Sequence, residues 1–232
     1  MAEIKEGILG GVKGKVGTVV GLKYRGKNII RALPRKSSKP ASELQLKQRN
    51  KLTTVIRFLK TIRSFVNAHY PIKEIDGDIK VGYDQIRSTL MKHGLAVEEN
   101  SIGIVAEKVV LAIGPLPPAP INKISLLKKR KVKIQWDNST CNGLTAADDL
   151  LTILMFNEEL NVFHIEKNVG IRESKYNSIA LPEHWNSGKI HFWSVWTTID
   201  QSMHSTSLYH NAIELEFAEK DLDNTVEQIA AE

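Results

Sequence analysis

Residues 114–120 read GPLPPAP, and the stretch after them decides the fold. Four prolines in seven residues fix the backbone and remove amide donors, which predicts a stiff, extended connector and a domain boundary. Beyond it, short β-like runs recur between turn residues: KVKIQW at 131–136, LLTILMF at 150–156, NVFHIE at 161–166, SIAL at 178–181, KIHFWSVWTTI at 189–199 and STSLYHNAIEL at 205–215. Runs of this length at this spacing predict a β-sandwich over 114–217.

Upstream of the prolines the pattern changes. Residues 7–33 carry Gly at 7, 10, 11, 14, 17, 21 and 26, a density that no helix tolerates at about 1 kcal/mol per interior Gly. Val16, Val19, Val20, Tyr24, Ile29 and Ile30 favour strands, and Arg25-Gly26-Lys27-Asn28 makes a turn between them. Residues 1–40 therefore read as a basic, Gly-rich β-hairpin arm. Residues 41–113 read as a helical section with one strand. Within it, Leu44, Gln48, Leu52, Val55, Ile56, Leu59, Ile62 and Val66 mark one face of a helix over 41–67. Ser42 and Gln45 stand at the positions of a capping box. A second helix is predicted over Tyr83–His93, ended by Gly94, and a strand over 102–113.

These stretches carry two resemblances. PPAP, KVKIQW and SIALPEHWNSGKIHFWSVW resemble a fibronectin type III-like or immunoglobulin-like module, with Trp136 as the core Trp of an early strand. The corner Tyr usual in such modules has no clear counterpart, and Trp185, Trp193 and Trp196 crowd that region. The chain as a whole resembles an uncharacterised bacterial family, on GILGGVKGKVGTVVG, Arg31, Pro34, SELQLKQRNKL and the late β module. The stretch Ser42–Arg49 is similar to segments of some phage-particle proteins. The implied fold is α+β: a Gly-rich β-hairpin arm and a short helical section, followed by a fibronectin/immunoglobulin-like β-sandwich. The family implies no activity.

Charge points to a partner. Residues 1–67 hold sixteen Lys and Arg against three acids, a net +13, while the remainder holds sixteen against 23, a net −7. From Glu214 to Glu232 there are seven acids and one Lys, so residues 218–232 read as an acidic tail. Such asymmetry suits a basic arm that meets protein, or nucleic-acid phosphates. The candidate binding residues are Lys23, Arg25, Lys27, Arg31 and Arg35, with Trp193 as a surface aromatic if its strand face is open. The alternative for Trp193 is core packing. Tyr24 is the one aromatic among the basic residues of 13–39, so that stretch lacks the row of stacking platforms of a single-strand binder.

Catalytic and cofactor motifs fail on chemistry. Gly21–Asn28 approaches a phosphate-binding loop, but Asn28 stands where a hydroxyl residue would hold magnesium, and Pro34 breaks the segment after it. His69, His93, His164, His184, His191, His204 and His210 form no HExxH pair, and the lone Cys141 makes neither a disulfide within the chain nor a Cys-rich zinc site. Asp148 and Asp149 alternate across a strand or sit in a polar loop, and Ser194 lacks a nucleophile elbow. No stretch of about 18 apolar residues spans a bilayer, and the first residues lack a secretory apolar region. The expectation is a non-catalytic structural or adaptor protein without metal, cofactor or small-molecule substrate. It assembles with itself or a protein partner in the cytoplasm, as a scaffold or phage-particle component. The alternative is a nucleic-acid-associated protein that binds phosphates through residues 13–39.

Overall fold

A computed structural model describes residues 3–4, 10–24, 27–35, 39–75, 78–98, 101–128, 130–139 and 142–216. Arg25, Gly26, Lys36, Cys141 and the acidic tail at 218–232 lie outside the described residues. The fold is mixed α+β with mostly antiparallel strands, in two compact units: Met1–Gln48 with Lys73–Lys80, and Arg49–Ile72 with Val81–Glu232.

The first unit is built on strands β1 (Glu3–Ile4), β2 (Val12–Val16), β3 (Val19–Tyr24) and β4 (Lys27–Ala32), which pair antiparallel in that order. Gly14, within β2, has φ 111°, a conformation open to Gly and strained for other residues. The start of β2 comes close to β3: a Cβ at Gly21 would lie 2.1 Å from the Val12 carbonyl oxygen. Position 21 thus has no room for a side chain beside the β2 backbone.

The chain continues into α1 (Glu43–Leu59) and α2 (Arg63–His69), then into the hairpin β5 (Lys73–Ile75) and β6 (Asp78–Lys80), which belongs to the first unit. The capping box forms: the Ser42 amide donates to Gln45 Oε1 at 3.3 Å, and the Gln45 amide donates to Ser42 Oγ at 3.4 Å. The single helix predicted over 41–67 is two helices. The break at Lys60–Ile62 turns the Thr61 hydroxyl to accept the Phe163 amide at 3.3 Å and leaves Ile62 fully buried.

The second unit adds α3 (Gly82–His93), ended by Gly94 as predicted, and the short hairpin β7 (Leu95–Val97) and β8 (Ile102–Ile104). The strand predicted over 102–113 is only the three residues of β8. A 3-10 turn comes next, then extended chain that packs by side chain-to-backbone bonds, with the Leu111 amide donating to Ser207 Oγ at 2.7 Å. Seven strands complete the unit: β9 (Ile121–Leu127), β10 (Lys131–Trp136), β11 (Leu150–Asn157), β12 (Val162–Ile171), β13 (Tyr176–Ala180), β14 (Ser187–Thr197) and β15 (Leu208–Glu216). They form a three-stranded sheet ordered β13-β10-β9 and a four-stranded sheet ordered β12-β11-β14-β15.

The four-stranded sheet is covered on both faces. Leu154, Phe156, Trp193 and Val195 pack with Val55, Phe58, Leu59, Phe65, Ile86 and Leu90 of the helices. Leu151, Ile153, Met155, Phe192 and Trp196 pack with Val132, Ile134, Trp136 and Ile179 of the smaller sheet. Two-sided burial explains why LLTILMF and HFWSVW are nearly continuous apolar runs rather than alternating ones. Each buried indole removes on the order of 200 Å² from water, roughly 5 kcal/mol before entropy is counted.

The boundary between the two compact units does not fall at residues 114–120. These residues lie inside the second unit, where Leu116 and Ala119 join the core between the sheets and the Leu116 amide donates to the His204 carbonyl at 3.1 Å. Proline's fixed backbone here serves a packed strut.

Candidate functional site

The register of the first unit sorts its cations by face. Lys15 pairs with Val20, and Val20 with Arg31, so these three side chains share a face. Lys27, opposite Tyr24, lies four residues before Arg31 and joins them. Lys15, Lys27 and Arg31 therefore ring an apolar stripe of Val20, Leu22 and Ile29, with Tyr24 half exposed beside them. Strands lie about 4.8 Å apart, so Lys15 and Arg31, two strands apart, stand roughly 10 Å from each other.

Of the residues singled out in the sequence, Lys27 and Arg31 come together here. Lys23 does not: it pairs with Asn28 on the opposite face. Arg35 is exposed just after β4, and Arg25 lies outside the described residues. Lys15 completes the face; it lies in the basic stretch 13–39 but not among the binding residues singled out, and strand alternation groups it with them once the turns fix the register.

Trp193 is not a surface aromatic. It is 0% exposed, and its indole N–H donates to the Val109 carbonyl at 3.0 Å. Both faces of its strand are core, so the core alternative applies to it as it does to Trp185 and Trp196.

The second unit holds a cleft of about 220 Å³. Phe58, Phe156, Ile102 and Ile104 supply apolar walls, and Glu158 and His191 a polar end. Its polar end is built by local structure. Asn157 is fully buried; its side-chain amide donates to the Ser187 carbonyl at 3.1 Å and its Oδ1 accepts the Leu160 amide at 3.0 Å, which fixes the turn after β11. The Glu158 amide donates to the Lys189 carbonyl at 2.9 Å. Glu158 Oε2 then lies 3.5 Å from His191 Nε2, while His191 Nδ1 lies 3.0 Å from the Tyr209 hydroxyl. A carboxylate only accepts, so Nε2 carries the ring proton toward Glu158 and Nδ1 accepts from Tyr209. Burial lowers the His191 pKa against the opposing pull of Glu158. Burial raises the Tyr209 pKa, and Glu107 and Glu158 raise it further.

Two other pairs are hidden in the sequence. Asp149, read as a polar loop residue, is fully buried and accepts from Arg172 Nε at 3.0 Å. Ser194 Oγ lies 2.8 Å from His210 Nε2, and burial pushes the His210 pKa down to about 4. Ser194 is itself 0% exposed, so the pair is a link inside the sheet rather than a nucleophile and base open to substrate. Among the described residues no group of three or more His, Cys, Asp or Glu is placed to hold a metal ion, and no helix is long and apolar enough to cross a membrane.

Residues 11–211 match the model of a family of unknown function, DUF6266. The chain belongs to that family. The match includes β2–β4 and the cleft, and extends into β15, so both surfaces lie in the DUF6266 region. No curated protein matches the chain.

Proposed function

We propose that the chain is a non-catalytic assembly protein whose basic β-sheet face docks an acidic surface of a second copy or of a protein partner, as part of a scaffold or phage-like particle. The supporting observation is the gathering of Lys15, Lys27 and Arg31 on one face around a partly exposed apolar stripe. Cations around an apolar patch suit a protein surface, which offers both apolar area and acidic side chains.

The second unit supplies a rigid body for such an assembly, and we read it as a fibronectin type III-like or immunoglobulin-like sandwich. Its first, second and fifth strands pair in one sheet, and its third, sixth and seventh in the other, as in an immunoglobulin-type domain. The fourth strand, β12, departs from that constant-type order by pairing with the third. Trp136 on the second strand packs edge-on against Trp196, at 5.7 Å between ring centres.

Tyr24 favours a second reading, in which the face binds nucleic-acid phosphates and the half-exposed ring stacks on a base. Mass in solution at low and high salt separates the two. Compared are the wild-type chain, a Lys15→Glu/Lys27→Glu/Arg31→Glu variant, and Lys23→Glu on the opposite face. The expected result is a low-salt oligomer that the triple variant loses and Lys23→Glu keeps. A monomer at every salt concentration, alone and with an acidic protein fraction, overturns the assembly reading. Nucleic-acid affinity that falls with salt, with a slope near −0.9 per phosphate contact, then supports the second.

A further inference from the structure

We propose that the cleft of the second unit binds a small organic cation, an ammonium group on an aromatic or short apolar body. Three observations carry this. The size is the first: about 220 Å³ is below the range of drug-sized sites, which sets the ligand at about ten non-hydrogen atoms.

Shape and lining are the second. Phe58 and Phe156 meet edge to face, 4.8 Å between centres, and with Ile102 and Ile104 they offer an apolar wall to a ring or short chain. Aromatic faces also attract a cation set against them.

Charge is the third. Glu158 is the one residue of formal charge among those lining the cleft, and its side chain is 60% exposed at the mouth. Its hydrogen-bonding neighbour His191 has its pKa lowered by burial and is neutral at physiological pH, so the carboxylate's charge stays uncancelled from that side. Glu107 adds a second negative charge, felt at Tyr209 together with that of Glu158. Lys189 is the cation that acts on His191, and it lies on an exposed strand position. An anion entering here would meet a carboxylate without a paired cation in the cleft wall. An ammonium gains a charge-assisted hydrogen bond, and its apolar body leaves water against the two phenyl rings.

The test uses the full chain, isotope-labelled, with amide shifts followed by NMR at neutral pH and constant ionic strength. Three probes share one body: phenethylamine, 2-phenylethanol and phenylacetate. The expected result is millimolar binding of the amine, about tenfold tighter than the alcohol, with shifts at Gly103, Ile104, Glu158 and Asn161. Glu158→Gln brings the amine to the level of the alcohol, and Glu158→Lys transfers the preference to phenylacetate. Trp fluorescence checks that both variants are folded; Glu158 is exposed enough to be replaced without disturbing the core. Equal binding of amine and alcohol, binding of phenylacetate by the wild type, or no shift in the cleft with any probe overturns the proposal.

Discussion

Arg172 and Asp149 form an ion pair sealed inside the second unit: Nε to Oδ2 is 3.0 Å, and the two side chains are 2% and 0% exposed. The guanidinium also donates to the Pro117 carbonyl at 3.0 Å and lies over the Trp196 ring, 4.7 Å from its centre. The Arg172 carbonyl accepts the Trp136 indole N–H at 3.0 Å. One arginine thus ties the Pro-rich strut, the end of β12 and a Trp from each sheet. Yet Asp149 Oδ1 and Arg172 Nη1 find no partner among the described residues, so the pair is incompletely satisfied.

That geometry gives an asymmetric prediction. Asp149→Asn or Arg172→Met alone leaves a buried charge uncompensated and costs about 3–5 kcal/mol. Asp149→Leu with Arg172→Met removes both charges and costs far less than the sum, because burial of an imperfect pair is itself unfavourable. Urea denaturation followed by Trp fluorescence measures all three. Single variants within about 1 kcal/mol of wild type would show that the pair does not hold the strut.

His210 sets an acid-side limit to stability. Its ring faces Ser194 Oγ from β15, with Phe192 directly opposite on β14, and burial lowers its pKa to about 4. The unfolded chain takes up this proton near pH 6.5, the folded chain only near 4, so between those values the unfolded state binds more protons. The contribution is fully present above pH 6.5 and is lost as pH falls toward 4, at most about 3 kcal/mol. His69, stacked on Phe65 and lowered by burial, and His191 act in the same direction. His210→Gln keeps a hydrogen-bonding group for Ser194 without the titration. It is expected to flatten the fall in denaturation midpoint across this window; an unchanged slope would remove His210 as its source.

Sequence and structure agree where local chemistry decides. The Ser42–Gln45 capping box and the Gly94 stop form because each depends on neighbours within four residues. KVKIQW is β10 to the residue, since its apolar alternation faces one core. Where distant contacts decide, the reading fails. The break at Lys60–Ile62 carries no Gly or Pro; it coincides with a hydrogen bond from the Phe163 amide, 102 residues away, to Thr61. Strand β9 has weak alternation and gives no strand signal of its own; it is held by pairing with β10. Asp149 reads as a loop carboxylate because its cation lies 23 residues on, with no periodic signal linking the two. Trp193 is ambiguous in the sequence because alternation tells which face a residue takes, not whether helices cover that face. The basic face needs the register before Lys15 can be grouped with Arg31.

Gly21 offers a way to unfold the basic face alone. It is buried in β3, and a methyl group there would press against the Val12 carbonyl at 2.1 Å, a backbone atom that cannot swing aside. Gly21→Ala therefore forces β2 off β3, with an overpacking cost of about 1–3 kcal/mol. The second unit should not register the change, since Trp136, Trp185, Trp193 and Trp196 all belong to it. The expected outcome is loss of amide hydrogen-exchange protection in β2–β4 with the Trp-monitored denaturation midpoint unchanged. Any salt-dependent association that rests on Lys15, Lys27 and Arg31 should disappear with the protection, because those cations share a face only while the strands hold their register. Retained protection in β2–β4 would mean that the close approach at Gly21 is not what shapes the sheet. A Trp transition shifted as far as the sheet's own would mean that the two units melt as one.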